Sequence, residues 1–409
     1  MSDRLDLIPL GTRLELEVGA VAHGGHCVAR HLGQVVFVRH SLPGERVVAE
    51  VTGVGSGGKF LLADAVEVLS ASPDRRPAPC PHSGPGMCGG CDWQHVTPEA
   101  QRRLKQSIVV EAMKRQGGVD VEVEVEAVDG DVDGLGWRTR VTYSLDEAGR
   151  PGFFRHHSHT VVPVDRCLLA TDAVDATDVT RRTWPGAKTV SVVATSTGEV
   201  AVTPSPLPPG GKANVRLHER VGDTEYVVSS DSFWQVHPGA PVTLTQAVID
   251  AVAPRVGEHV IDLYAGSGLF AVAIAELLGP GGRVDAVEFD AKACSSTRRT
   301  VHDMPTVRVH EQSVDRWLAS DGPRRCDLVV LDPPESGAGK DVMRRVAKLN
   351  PRLIAYVSCG PASLGRDVAA LAALGWTMTS LRAFDLFPTT QHVECLAVFA
   401  RTPETSVVG

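Results

Sequence analysis

Residues 260–275 read VIDLYAGSGLFAVAIA. A β-favouring run enters a turn with glycines at 266 and 268, and an apolar run at helical spacing leaves it. Glycines at such a junction let the backbone approach a ligand that the N-terminus of the next helix faces. Strand and helix alternate from there. The spacing predicts strands at 258–263, 283–288, 306–310, 326–331 and 352–357, and helices at 268–278, 291–301, 313–319, 340–348 and 361–373, with a helix at 241–253 ahead of them. Two further strands, 376–383 and 393–400, have only a short link between them and can pair antiparallel. The pattern is that of a doubly wound, mostly parallel α/β sheet.

Ligands of such sheets bind outside the carboxyl ends of the strands. Asp262, Glu288, Asp332 and Cys359 fall there, each after a different strand, and Glu394 joins them if the last strand runs antiparallel. Glu288, twenty residues after Gly268, is placed to accept ribose hydroxyls. Dinucleotide and S-adenosylmethionine sites share that feature. Asp262 favours the second, because a carboxylate attracts a sulfonium and repels a pyrophosphate. LDPP at 331–334 holds an extended, rigid turn suited to methyl transfer onto planar nitrogenous bases. A Rossmann oxidoreductase is the more distant alternative. Cys359 in YVSCGP would ordinarily be small apolar packing at a strand end. Beside a methyl-donor loop it acquires a role, since thiolate addition at carbon 6 of uracil makes carbon 5 nucleophilic. The proton on carbon 5 must then leave, and Glu394 in QHVEC is the candidate base; the plainer reading is a surface carboxylate.

Upstream, residues 11–70 read as about five short alternating strands broken by glycines, which suggests a small closed barrel. The stretch PDRRPAPCPHSGPGMCGGC at 73–91 is loop and boundary. A helix at 98–116 ends at Gly117 and Gly118, and 119–230 is β-rich, with VEVEVEAV, WRTRVTYSL, HTVVPV and TVSVVA as candidate strands. A 409-residue chain with 43% hydrophobic residues buries more than one core and is not disordered. No apolar run approaches the roughly 20 residues of a membrane span. The start, MSDRLDLIPLGTRLELEV, has two early acids and no apolar signal core, so the protein is expected in the cytoplasm. Nine cysteines, an odd number, then read as reduced thiols. A net charge of −8 provides no general basic field for nucleic acid. Residues 101–115 are locally basic, and Arg102, Arg103 and Lys105 are candidates for phosphate contacts unless the run is simply a solvated helix face. Cys80, Cys88 and Cys91, with distant Cys167, fit either tetrahedral zinc, with His82 or His95 as further donors, or an iron-sulfur cluster.

In order and spacing, GERV in the N-terminal barrel, CGGC with QH at 94–95, SFWQV at 232–236, DLYAGSGLF, VVLDPP, YVSCGPASLGRD and FDLFPTTQHVECLAVF resemble the TRAM-domain RNA uracil-5-methyltransferases, which modify 23S rRNA and tRNA. The resemblance covers nearly the whole chain. It implies an α/β class I methyltransferase with an OB-like TRAM barrel at 8–70 for RNA, a small β-rich central domain at 71–232 holding a 4Fe-4S cluster, and an S-adenosylmethionine-dependent domain at 233–409, against which helix 98–116 can pack. By position, Gln235, Tyr264, Glu288 and Asp332 are the implied S-adenosylmethionine contacts, Cys359 the nucleophile, Glu394 the base, and Cys80, Cys88, Cys91 and Cys167 the cluster ligands. The chain departs from the family in having seven residues between its first two cluster cysteines rather than five, Glu335 after DPP, Gly360 after the nucleophile, and Thr389 where histidine is common. The expected activity is methylation of carbon 5 of a uridine in structured RNA, 23S rRNA ahead of tRNA, by a monomer without membrane attachment. The alternatives are a non-catalytic RNA-binding or folding factor and a methyltransferase using LDPP for amine chemistry, neither of which needs Cys359.

Overall fold

The computed structural model describes residues 8–208, 210–211 and 214–402. The early acids of the N-terminus lie outside the described residues. Strands β1 (Arg13–Glu17), β2 (Cys27–His31), β3 (Gln34–Arg39), β4 (Arg46–Val54) and β5 (Phe60–Ser70) form a sheet in the order β1-β4-β5-β3-β2. Alternate residues point inward, as with Leu14 and Leu16 of β1 and Val47, Ala49 and Val51 of β4. The chain after β1 returns along β2, where the Gly19 amide donates to Val28 O (2.8 Å) and the Val28 amide to Ala20 O (2.9 Å). That contact closes the barrel and removes the open edges.

Helix α1 (Pro98–Ala112) begins with proline at its first turn and widens into a π-turn at Met113–Gly117 before Gly118 ends it in the left-handed region. It joins two bodies. Ala100 and Ile108 enter the barrel core, while Val109 and Met113 enter a core under the large sheet. Between those faces lies Lys105, completely buried, with its ammonium on Asp385 (2.5 Å) and Phe387 O (2.9 Å). Lys105 is therefore not a phosphate contact, contrary to the expectation from the basic run: its partner is 280 residues away in sequence. Arg103 is exposed and paired with Asp74 at 2.7 Å.

Strand β6 (Val125–Ala127) follows α1. Then β7 (Arg140–Leu145), β8 (Pro151–Phe154), β9 (Val161–Pro163), the short α2 (Asp172–Asp175), β10 (Thr189–Ala194) and β11 (Val200–Ser205) build an antiparallel sheet, order β11-β10-β7-β8-β9, with its own core around Val141, Tyr143, Val190 and Val192. The hairpin β12 (Arg216–Val221) and β13 (Thr224–Ser229) instead packs Tyr226 and Val228 into the core of the large sheet. Segment 71–232 thus contributes to two bodies.

The large sheet comprises β14 (His259–Leu263), β15 (Arg283–Glu288), β16 (Val307–Glu311), β17 (Leu328–Leu331), β18 (Leu353–Ser358), β19 (Trp376–Asp385) and β20 (Glu394–Arg401), in the order β16-β15-β14-β17-β18-β20-β19-β6. The five strands β14 to β18 are parallel, and β20 is antiparallel to both neighbours. Helices α3 (Ala240–Val252), α4 (Leu269–Leu278), α5 (Ala291–Thr300), α6 (Val314–Ser320), α7 (Lys340–Lys348) and α8 (Pro361–Ala372) complete the doubly wound pattern. Central strands are buried on both faces, as Leu328–Leu331 shows, which is why they read as continuous apolar runs. The eighth strand, β6, belongs by sequence to the β-rich centre, but it pairs in parallel with β19 through only three residues of the alternating run. Among the described residues no helix is long and apolar enough to cross a membrane.

Candidate active site and cysteine cavity

The parallel strands deliver their carboxyl ends to one crevice. Past β14, Tyr264 takes a positive φ of 62°, and Gly266 and Gly268 make the turn into α4. A Cβ on Gly268 would sit 2.7 Å from the Thr297 side chain, so the turn closes tightly onto α5. Glu288, ending β15, accepts from the amides of Gly266 (2.9 Å), Phe289 (2.7 Å) and Asp290 (2.8 Å). The carboxylate thereby ties the glycine turn to the neighbouring strand. Asp262 is fully buried beneath this turn with neither carboxyl oxygen hydrogen-bonded by another side chain, and burial drives its pKa well above the usual carboxylate range. Beyond the neighbouring Ala271 amide such a group has no partner, and a cationic ligand in the crevice would supply one. Gln235, nearly buried, lies on the 230–239 segment that reaches the turn, where Ser267 Oγ donates to Phe233 O at 3.5 Å. Arg140 anchors that segment by donating to Ser232 O at 2.8 Å, a role with no signal in its local sequence.

Cys359 follows β18. The register Ser358↔Cys395 between β18 and β20 brings Glu394 level with the thiol, as the antiparallel expectation required. Asp332 comes from the end of β17, two strands from β20. Glu394 is 3% exposed, and its Oε1 has no partner. Burial drives the Glu394 and Asp332 carboxyls up, and proximity to Asp332 adds to the effect on Glu394. Burial first, then Glu394, Asp332 and Glu335, push the Cys359 thiol up to about 12. The loop after LDPP is held by Asp367 of α8, whose Oδ2 accepts from Tyr356 OH (2.7 Å) and the Ala338 amide (2.9 Å). That accounts for the aspartate closing YVSCGPASLGRD.

Cys80, Cys88, Cys91 and Cys167 line one small cavity, with Arg138 and Arg166 in its wall. The Gly90 amide and Gln94 Nε2 each donate to a cysteine sulfur, Cys88 and Cys91 respectively, at 3.4 Å. Burial raises Cys167 and pushes Cys88 to about 11 and Cys91 to about 12. Among the described residues no group of three or more His, Cys, Asp or Glu side chains is arranged to hold a metal ion. His82 lines the cavity, whereas His95 packs beside His40 instead. The cavity and the crevice touch the same turn. Thr389, buried with φ of 65°, accepts from the amides of Asp92 (3.0 Å) and Trp93 (2.9 Å), while Asp92 Oδ2 accepts from the Gln391 amide (3.0 Å). The turn so clamped leads directly into Glu394.

Comparison with known proteins agrees with this architecture. Residues 320–402 match the family described as tRNA (uracil-5-)-methyltransferase, and residues 10–66 match the TRAM domain. An uncharacterised RNA methyltransferase of Streptomyces coelicolor is 44% identical over 95% of this chain and 93% of its own. The 23S rRNA (uracil(1939)-C(5))-methyltransferase RlmD of Alkalilimnicola ehrlichii is 31% identical over 95% of this chain and 96% of its own. The tRNA (uracil-54, C5)-methyltransferase of Pyrococcus abyssi, solved with S-adenosyl-L-homocysteine, shares the fold with a TM-score of 0.70 at 22% identity, covering 95% of this chain and all of that one.

Proposed function

The chain belongs to the TRAM-domain RNA uracil-5-methyltransferase family, and we propose that it methylates carbon 5 of an unpaired uridine in 23S rRNA, with Cys359 as nucleophile and Glu394 as base. The observation that carries the mechanism is the β18–β20 register, which sets one thiol and one buried carboxyl with a free oxygen side by side. The preference for 23S rRNA over tRNA rests on the full-length similarity to RlmD.

Bound S-adenosylmethionine supplies an electrophilic methyl group on a positively charged sulfur. Asp262 and Asp332 would face its cationic part, Gln235 and Tyr264 would border it, and Glu288, which ties down the glycine turn, would take the ribose hydroxyls with its remaining acceptor capacity. Cys359 Sγ, as thiolate, adds to carbon 6 of the uracil, and the electrons of the 5,6 double bond move to the carbon 4 oxygen as an enolate. Carbon 5 then takes the methyl group, and the electron pair of the broken carbon–sulfur bond stays on the sulfur, which leaves as a neutral thioether. Glu394 removes the proton from carbon 5, and the returning electrons restore the double bond and expel Sγ. The uridine must leave any stack to reach this depth, which costs a few kcal/mol and least in a loop. The barrel and the central sheet hold the RNA around that loop.

The four cysteines would hold a 4Fe-4S cluster. Four thiols line one cavity, the number of thiolates such a cluster takes. Arginines in the wall and N–H groups on sulfur favour its negative charge. The deciding experiment uses RNA carrying 5-fluorouridine at the target, which has no proton on carbon 5 to remove. A covalent protein-RNA complex dependent on Cys359 and S-adenosylmethionine supports the mechanism; unchanged carbon 5 methylation by Cys359→Ala overturns it.

A further inference from the structure

A cavity of about 480 Å³ opens between the barrel and residues 75–85, and it shares no lining residue with the crevice or with the cysteine cavity. Val66 and Val68 of β5 and Pro77 and Pro85 of the loop give it apolar walls. Two histidines line it as well, His40 just after β3 and His95 shortly before α1. They are 8% and 6% exposed, their rings stand 6.1 Å apart, and the Nε2 atom of neither has a hydrogen-bond partner. Buried polar atoms are ordinarily paired, so two unpaired ones in one cavity need a cause. The backbone of each histidine is fixed separately. The Arg76 amide donates to His95 O (2.9 Å) and Arg75 Nη2 to His40 O (2.8 Å), and His40 takes a positive φ of 59°, unfavourable for a residue with a side chain. Both arginines of the wall are already neutralised: Arg75 donates to the two oxygens of buried Glu45 (2.6 and 2.7 Å) and Arg76 to Asp133 (2.5 Å). Burial first, then Arg75, lowers His95 to about 4, and burial first, then Arg39, lowers His40 to about 3. An uncharged imidazole presents a donor or an acceptor at Nε2 according to its tautomer.

Apolar walls, two unpaired nitrogens and arginines whose charge is already matched suit a flat heterocycle with N–H and C=O groups along one edge. A free nucleotide would bring a phosphate, for which the wall keeps no unpaired cation, whereas a base on an RNA strand leaves its phosphates outside. The rim admits a strand, since Val66 is 38% exposed and Pro77 and Pro85 are exposed. We propose that the cavity takes the base of an unpaired nucleotide of the RNA substrate, a nucleotide other than the methylated uridine, whose edge hydrogen-bonds to Nε2 of His40 and of His95. Sequence-specific recognition of RNA mostly uses unpaired bases splayed out in this way. A second captured base fixes the register of the loop, and so decides which uridine reaches the crevice. The inference rests on the chain acting on RNA, not on the chemistry assigned to Cys359 and Glu394.

The test begins with ultraviolet crosslinking of the full-length protein to total cellular RNA, followed by mass spectrometry of the peptides and sequencing of the attached RNA. Adducts on the peptides bearing His40 or His95 are expected, at a nucleotide that is not methylated; adducts confined to other peptides would overturn the proposal. The RNA so identified is then used in binding titrations. His95→Phe, which keeps a ring without Nε2, should weaken binding about tenfold, and His95→Gln should restore most of the loss. Val66→Trp, which fills the cavity from its exposed rim and touches neither the histidines' chemistry nor the core, should weaken binding by a similar factor. Removing the base of the crosslinked nucleotide should weaken the unsubstituted protein equally and leave His95→Phe no weaker than before, as expected of two changes that delete one contact. RNA affinity unchanged in both His95→Phe and Val66→Trp would overturn the proposal. So would equilibrium dialysis in which adenosine, guanosine, cytidine or uridine binds the free protein and loses that binding in Val66→Trp while RNA affinity stays the same, since the cavity would then serve a free nucleoside. A protein that methylates no RNA would refute the proposed function itself, and methylation by Cys359→Ala would overturn only the nucleophile assignment.

Discussion

Two groups of half-buried thiols in this molecule face different surroundings. Cys359 is alone among carboxyl groups at the start of a helix, whereas Cys80, Cys88, Cys91 and Cys167 are together, with two arginines and N–H donors around them. Burial raises Cys359 and, in the other group, Cys88, Cys91 and Cys167, so desolvation does not distinguish a nucleophile from a ligand. The neighbours do. Acids beside a lone thiol make its ionisation conditional, and a base among them can serve chemistry. Cationic groups beside several thiols favour lasting thiolates, which is what a metal centre needs.

The largest effect that would break this contrast is at the lone thiol. Cys359→Ala should lose methylation by about 10⁴-fold or more and form no adduct with 5-fluorouridine RNA, measured by methyl incorporation and gel shift. Glu394→Gln should slow turnover by about 10²- to 10⁴-fold while the bond to ordinary uridine still forms, so that adduct accumulates. The same residue governs pH. Its carboxyl is raised by burial, and a base works only when ionised, so activity should fall as pH drops through a value well above the ordinary glutamate range. A rate profile whose acid limb lies at an unshifted glutamate value would contradict the assignment.

At the other group, protein purified without oxygen should be brown and carry iron and sulfide at one four-iron cluster per chain. Serine at any one of Cys80, Cys88, Cys91 or Cys167 should remove the colour and lower stability by about 2 kcal/mol or more, read by thermal melting. Activity should fall with it, since the loop bearing Cys91 holds the turn before Glu394 through Asp92 and Thr389. A colourless protein with one zinc would make the two thiol environments more alike than proposed. A smaller effect on activity sharpens the comparison from outside. Lys105→Met leaves Asp385 buried without its partner and should destabilise the fold by about 3–5 kcal/mol, without changing the salt dependence of RNA binding. Smallest of all, Arg103→Gln should lower the salt slope of RNA binding by at most about one charge, by titration at several salt concentrations, because Asp74 already neutralises it in part.

Much of the candidate site is legible because its residues sit at strand ends, and strand ends follow from local periodicity. Asp262, Glu288, Asp332 and Cys359 were placed by counting strands, and Glu394 by the short link that makes the last pair antiparallel. Glu335 is legible only as a departure, since its loop is held on α8 by a hydrogen bond from the Ser363 hydroxyl to the Glu335 carbonyl. Arg140 and Asp92 gave no signal, because each acts on backbone far along the chain.

The alternation of strands and helices in the doubly wound sheet and the small barrel were determined by the sequence alone, through alternation, helical spacing and turn residues that act over a few neighbours, whereas β8, β11, β12, β13 and α2 of the central segment were not. The tertiary structure alone decided which surfaces those elements cover. Lys105 reads as a solvated charge until α1 is set between two cores and Asp385 meets it; VEVEVEAV reads as a strand of its own region until three of its residues complete the edge of the large sheet. Four cysteines become one site only when Cys167 is brought to the loop of the other three. In each case the deciding energy lies in contacts between residues distant in sequence, and no local pattern encodes which partner burial will select.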